Sequence, residues 1–101
     1  MSKILQINYR LNSPVSSFLE KSRPVAELVA TVPGLRWKIW LKNESENEGG
    51  GLYLFENGEA LNDFVAGRIL EKLKTNPYVT EVSVKEFEVP AELSAITSAA
   101  I

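Results

Sequence analysis

From Lys3 to Leu11 apolar and polar side chains alternate: Leu5, Ile7, Tyr9 and Leu11 fall on one side, Gln6, Asn8 and Arg10 on the other. A period of two predicts a strand with one buried face. Asn12-Ser13-Pro14 follows, a capping residue ahead of a proline at the first helical position. The period then lengthens. Val15, Phe18, Leu19, Ser22, Ala26 and Val29 share one stripe, which predicts a helix to about Ala30. Pro24 lies inside that stretch; it lacks the amide donor and clashes with the turn before it, so the helix is predicted to kink or split near Arg23. Val32-Pro33-Gly34 stops it.

Leu35 to Lys42 alternates again. Strict alternation puts Leu35, Trp37, Ile39 and Leu41 on one face and Arg36, Lys38, Trp40 and Lys42 on the other. Asn43 to Gly51 is polar and ends in glycines, the composition of a hairpin connection. Leu52-Tyr53-Leu54-Phe55 predicts a third strand, apolar on both faces. Asn57-Gly58 turns the chain into a second helix over Glu59 to Lys74, with Leu61, Phe64, Val65, Ile69 and Leu73 on its buried side. Lys72 and Lys74 in its last turn suit the helix dipole. Val79 to Val89 predicts a fourth strand, and Ala91 to about Ala99 a short terminal helix. The order β-α-β-β-α-β is that of a ferredoxin-like α+β fold with an antiparallel sheet, expected as a single domain over residues 1–101.

Two helices shield one face of a four-stranded sheet, so the other face should be polar if it meets water. The second strand carries a tryptophan on each face, and the third is apolar on both. At roughly 25 cal/mol per Å2 of apolar area, leaving such side chains in water forgoes several kcal/mol. A second copy packed sheet to sheet would cover them, so a homodimer is expected.

Composition narrows the chemistry. The formal net charge is -2, with no basic footprint to suggest nucleic acid. No apolar run is long enough to cross a bilayer, and Met1 to Arg10 lacks the pattern of a signal peptide. A cytoplasmic location is the default expectation. The chain contains no cysteine and no histidine. That removes thiolate nucleophiles, the common proton shuttle and the commonest metal ligands. No metal site is expected, and acid–base work falls to Asp, Glu, Lys, Tyr or water.

The run Pro33-Gly34-Leu35-Arg36-Trp37-Lys38-Ile39-Trp40, followed by Gly50-Gly51-Leu52-Tyr53-Leu54-Phe55, resembles the YdhR family of monooxygenases. Leu5-Gln6, Asn12 with Pro14, Pro24 and Lys85-Glu86-Phe87 agree with it. The resemblance implies a dimeric α+β barrel with a pocket between sheet and helices. It further implies oxidation of a small aromatic or polycyclic substrate by O2, with no cofactor. It also implies one departure: relatives carry histidine where this chain has Asn8.

Such a reaction needs an electron-rich anion held away from water. Trp37, Trp40, Tyr53 and Phe55 are the candidate walls. Lys38, between the two tryptophans, is the candidate to stabilise a phenolate, enolate or peroxide. Trp37, Lys38 and Asn8 are therefore the expected catalytic set, and Trp40, Tyr53, Phe55, Asn62 and Arg68 the expected substrate-binding set. A non-catalytic homodimer that binds a small apolar molecule is the alternative, and the lack of histidine favours it. A structural dimer without a ligand is a third. A pocket of roughly 300 Å3 or more would support either ligand-binding reading.

Overall fold

The computed structural model describes residues 1–101. Its elements are β1 (Lys3–Leu11), α1 (Val15–Glu20), α2 (Arg23–Val29), β2 (Leu35–Asn43), β3 (Glu48–Phe55), α3 (Gly58–Val65), α4 (Arg68–Thr75), β4 (Val79–Glu88) and α5 (Ala91–Ile96). The strands form one sheet in the order β2-β3-β1-β4, and every neighbouring pair is antiparallel. This is the ferredoxin-like α+β arrangement that the periodicity predicts. No helix is long and apolar enough to cross a membrane.

The helices cover one face. Leu5, Ile7 and Tyr9 of β1 and Tyr53 and Phe55 of β3 form a core with Val15, Val29, Leu61, Phe64 and Leu70 from the helices. The first helical stretch divides as Pro24 requires: α1 ends at Glu20, and Pro24 sits in the first turn of α2, where its missing amide is harmless.

Three expectations are corrected. The second helix is two helices, parted at Ala66-Gly67. Gly67 takes an extended backbone as the N-cap of α4, and the break lets Phe64 and Leu70 both reach the core. The connection after β2 is shorter than its composition suggests, because Glu48 to Gly51 pair with β1 as strand. The turn itself is only Glu44 to Asn47. Third, β2 carries a bulge: Leu35 pairs with Phe55 and Trp37 with Leu54, so Arg36 is an inserted residue. Leu35 therefore joins Lys38 and Trp40 on the helix side, while Trp37, Ile39 and Leu41 face away.

The start of α1 is capped from a distance. Pro14 offers no capping side chain. Asn47, in the β2–β3 turn with φ of 50°, does so instead. Its Oδ1 accepts from the Val15 amide at 2.9 Å, and its Nδ2 donates to the carbonyls of Leu11 at 3.1 Å and Ser13 at 2.9 Å. Asn12 instead ties β1 to the start of β4, donating through its side chain to the Pro77 carbonyl. Asn47→Ala loses the cap and two partly buried hydrogen bonds and strains a left-handed backbone. An expected loss of about 2 kcal/mol follows. Urea unfolding checks it, with Asn47→Gly, which keeps the backbone relaxed, expected between the two. A wild-type midpoint for Asn47→Ala would refute the capping role.

The open face grades from apolar to charged. Across the sheet run the rows Trp37–Leu54–Ile4–Phe87, Ile39–Leu52–Gln6–Lys85, Leu41–Gly50–Asn8–Ser83 and Asn43–Glu48–Arg10–Glu81. The C-terminal tail covers part of the first row. Trp37 Nε1 donates to the Ala100 carbonyl at 2.7 Å, and Leu54 is fully buried. Ile39 and Phe87 remain about half exposed.

Candidate functional site

A cavity of about 120 Å3, smaller than the roughly 300 Å3 expected of a ligand pocket, opens between the helix side of the sheet and α1, α2 and α4. The side chains on its sheet side rest over glycines. On β3, Gly51 lies beside Trp40 of β2 and Ile7 of β1. A methyl group there would stand 2.7 Å from Lys38 Cε and 3.2 Å from the Tyr53 ring. Gly49, two residues earlier and on the same face, leaves room for the Tyr9 ring, which a methyl would meet at 2.6 Å. Alternate glycines thus clear one face of a central strand, and Lys38, Tyr53 and Tyr9 lean into the space.

Lys38 Nζ sits 3.3 Å from the Trp40 ring centroid and 4.6 Å from that of Tyr53. It makes no ion pair, whereas the salt bridges of the chain are all at exposed or half-exposed sites elsewhere. Two aromatic faces attract the ammonium through their quadrupoles. Burial opposes it and brings the Lys38 pKa down to about 8. The same burial raises Tyr9 to about 12 and pushes Tyr53 well above its ordinary value, with Tyr9 adding to the effect on Tyr53. Both phenols therefore stay protonated near neutrality.

The remaining wall comes from the helices: Phe18 of α1, Val25 of α2, and Ile69, Leu70 and Leu73 of α4. Tyr9 and Phe18 meet in a tilted contact, 5.4 Å between centroids and 54° between planes. Lys72 and Asn76 also line the cavity, and no carboxylate does.

The structure brings together Lys38, Trp40 and Tyr53 from the expected set. It separates the others. Phe55 lies outside the lining, fully buried and packed against Tyr53 and Phe64. Trp37 and Asn8 point to the open face, where Asn8 Oδ1 accepts from Gln6 Nε2 at 2.9 Å. Neither touches the cavity, because the pleat sends adjacent strand residues to opposite sides. Asn62 is exposed on α3 and does not line the cavity. Arg68 borders a separate shallow hollow with Val32, Pro33 and Asp63. No group of three or more acidic, histidine or cysteine side chains is placed to hold a metal ion.

The sequence model of the family described as "Putative mono-oxygenase ydhR" matches residues 4–100. The chain belongs to this family. Among the curated proteins no sequence matches it. Solved structures share the fold of this YdhR-family chain. A Nitrosomonas europaea protein of unknown function superposes with a TM-score of 0.74 at 13% identity, covering 88% of this chain and 89% of its own. SnoaB, a cofactor-independent oxygenase from Streptomyces nogalater, gives 0.70 at 13% identity, covering 88% and 93%. The heme-degrader MhuD from Mycobacterium tuberculosis, with two hemes in its active site, gives 0.64 at 25% identity, covering 86% and 95%.

In this YdhR-family chain the residue that sequence reasoning missed is Tyr9. The alternation of β1 already pointed it inward with Leu5 and Ile7. Nothing local marked it as a cavity residue, because the space above it is made by Gly49 on another strand.

Proposed function

We propose that this chain is a cofactor-independent monooxygenase acting on a small aromatic substrate in the cavity between sheet and helices. One observation carries the reading: an ammonium without a carboxylate partner, Lys38, stands between Trp40 and Tyr53 inside an apolar cavity. A half-buried cation that a fold keeps unpaired is costly for stability and is best explained by a ligand anion. Family membership supports the reaction type.

The chemistry closes without a histidine. The ring hydroxyl gives its proton to solvent, or to the Lys38 amine where that is neutral, and the Lys38 ammonium then acts as counter-ion to the oxyanion. The electron-rich ring passes electrons to O2. One oxygen atom ends as a ring carbonyl, the other leaves as water, and the ring C–H and O–H supply the hydrogens, so no outside reductant is needed. Trp40 and Tyr53 orient the ring, and the helix side chains keep water out. Heme is a poor fit as substrate: the cavity is about 120 Å3, and the chain has neither histidine nor cysteine to ligate iron.

Oxygen uptake with a panel of hydroxylated aromatics tests the reading. Wild-type protein is expected to consume O2 with at least one of them, and Trp40→Ala to lose that activity while remaining folded. Binding without uptake for every compound would sink the enzyme and leave the second reading, a small-molecule binding protein, which the absence of histidine favours.

The working unit in this proposal is a homodimer joined through the open face. Half-exposed Ile39 and Phe87 on the sheet, and Leu93 and Ile96 exposed on α5 at 68% and 80%, support it. Sedimentation equilibrium is expected to give twice the chain mass, and Ile39→Glu to shift it towards one chain. A single chain at high concentration in the wild type would end the proposal.

A further inference from the structure

The lining of the cavity carries more information than its aromatic character. Its charged members are Lys38 and Lys72, in a chain whose net charge is -2. Its deepest polar members are the two phenols. Tyr9 is 5% and Tyr53 4% exposed. Neither hydroxyl hydrogen-bonds within the chain, yet no sealed side-chain polar atom is left without a partner. Both hydroxyls therefore keep some accessible surface, and both tyrosines line the cavity. Ser22, by contrast, is turned away, donating to the Phe18 carbonyl at 2.9 Å. Three residues whose donors have no acceptor in the chain, Lys38, Tyr9 and Tyr53, thus line one small volume.

Volume sets the other limit. A cavity of about 150 Å3 lined by apolar side chains admits one benzene ring. The one here, at about 120 Å3, is of that order and below the usual range for larger ligands, roughly 300 Å3 and up.

We propose that the ligand is a monocyclic phenol bound as its phenolate, the oxyanion held jointly by the Lys38 ammonium and the Tyr9 and Tyr53 hydroxyls. This rests on the functional reading above and narrows it: a single ring, one acidic oxygen, and Tyr9 as a binding residue. Binding moves only the phenol proton, to the Lys38 amine or to solvent. Hydrogen bonds to a charged acceptor are the strong kind, and a buried donor left without one is penalised, so each phenol should favour the anion markedly.

Fluorine NMR titration tests this with 4-fluorophenol, fluorobenzene and 6-fluoro-2-naphthol. 4-Fluorophenol is expected to bind with the chemical shift of its ionised form. Fluorobenzene is expected at least tenfold weaker, and the naphthol excluded. Tyr9→Phe and Tyr53→Phe should each weaken 4-fluorophenol roughly tenfold or more and leave fluorobenzene unchanged, which also shows that the cavity survives. Equal binding of the naphthol, a neutral bound phenol, indifference to both phenylalanine variants, or no binding of any probe would each overturn the proposal. Failure of the enzyme reading looks different. The binding pattern without oxygen uptake leaves the ligand class standing, and uptake with bicyclic compounds alone removes the ligand class and keeps the enzyme.

Discussion

Phe55→Ala is expected to unfold the protein near physiological temperature, and not merely to widen the ligand site. Phe55 is fully buried, with ring centroids 6.3 Å from Tyr53 and 5.6 Å from Phe64. Truncating such a side chain costs about 3–5 kcal/mol through lost burial and the void left behind. A domain of this size has a total stability of roughly 5–15 kcal/mol, and a small core places it towards the lower end. Thermal unfolding by circular dichroism should show the midpoint falling by tens of degrees. Trp40→Ala, at a partly exposed wall, should lose ligand with a much smaller shift. A near-native midpoint with abolished binding for Phe55→Ala would instead place Phe55 in the wall.

The second large effect runs the other way: Lys38→Met should stabilise the protein at neutral pH while abolishing activity. Folding lowers the Lys38 pKa from 10.5 to about 8 through desolvation. Between those values the unfolded chain holds a proton that the folded chain has lost, so stability rises with pH across that window. Below about 8 the lysine is charged in both states and the burial penalty is at its full size, on the order of 1–3 kcal/mol. The tyrosines act with opposite sign. Burial raises Tyr9 and Tyr53, so above pH ~10, where exposed phenols ionise, unfolding is favoured. Wild-type stability is therefore expected to climb from pH 8 to about 10 and then fall. Lys38→Met should lack the climb and keep the fall. Denaturant unfolding at a series of pH values measures both. A variant less stable than wild type at pH 7 would mean that the ring contacts outweigh desolvation. The expected gain is the usual exchange of stability for a poised charge at a working site.

Much of this fold was legible because its signals are local. The alternation through Lys3 to Leu11, the helical stripe from Val15 to Val29 and the proline that splits it are each contained in one segment. What escaped was set by residues meeting from afar. The bulge at Arg36 moves Leu35 to the helix side, and one inserted residue leaves no mark on composition. The cap on α1 comes from Asn47, which is 32 positions away from Val15. Gly49 to Gly51 read as loop because glycine is common in turns; in the sheet they serve as clearance for Tyr9, Asn8 and Lys38. The candidate site was half legible for a related reason. Alternation puts Lys38 and Trp40 together and Trp37 opposite, so Trp37 and Lys38, as neighbours on a strand, were never compatible with one cavity.

The bare backbone beneath Lys38 makes this site a one-way device. The glycines under these side chains have nothing left to trim, so no substitution at Gly49 or Gly51 can deepen the cavity, and any addition there evicts the lysine or the phenol above. Room for a bulkier guest has to be carved from the roof, at Phe18, Ile69 or Leu73. Divergence in what such a protein accepts should accordingly be written in its helices, with the strands held as a fixed mould.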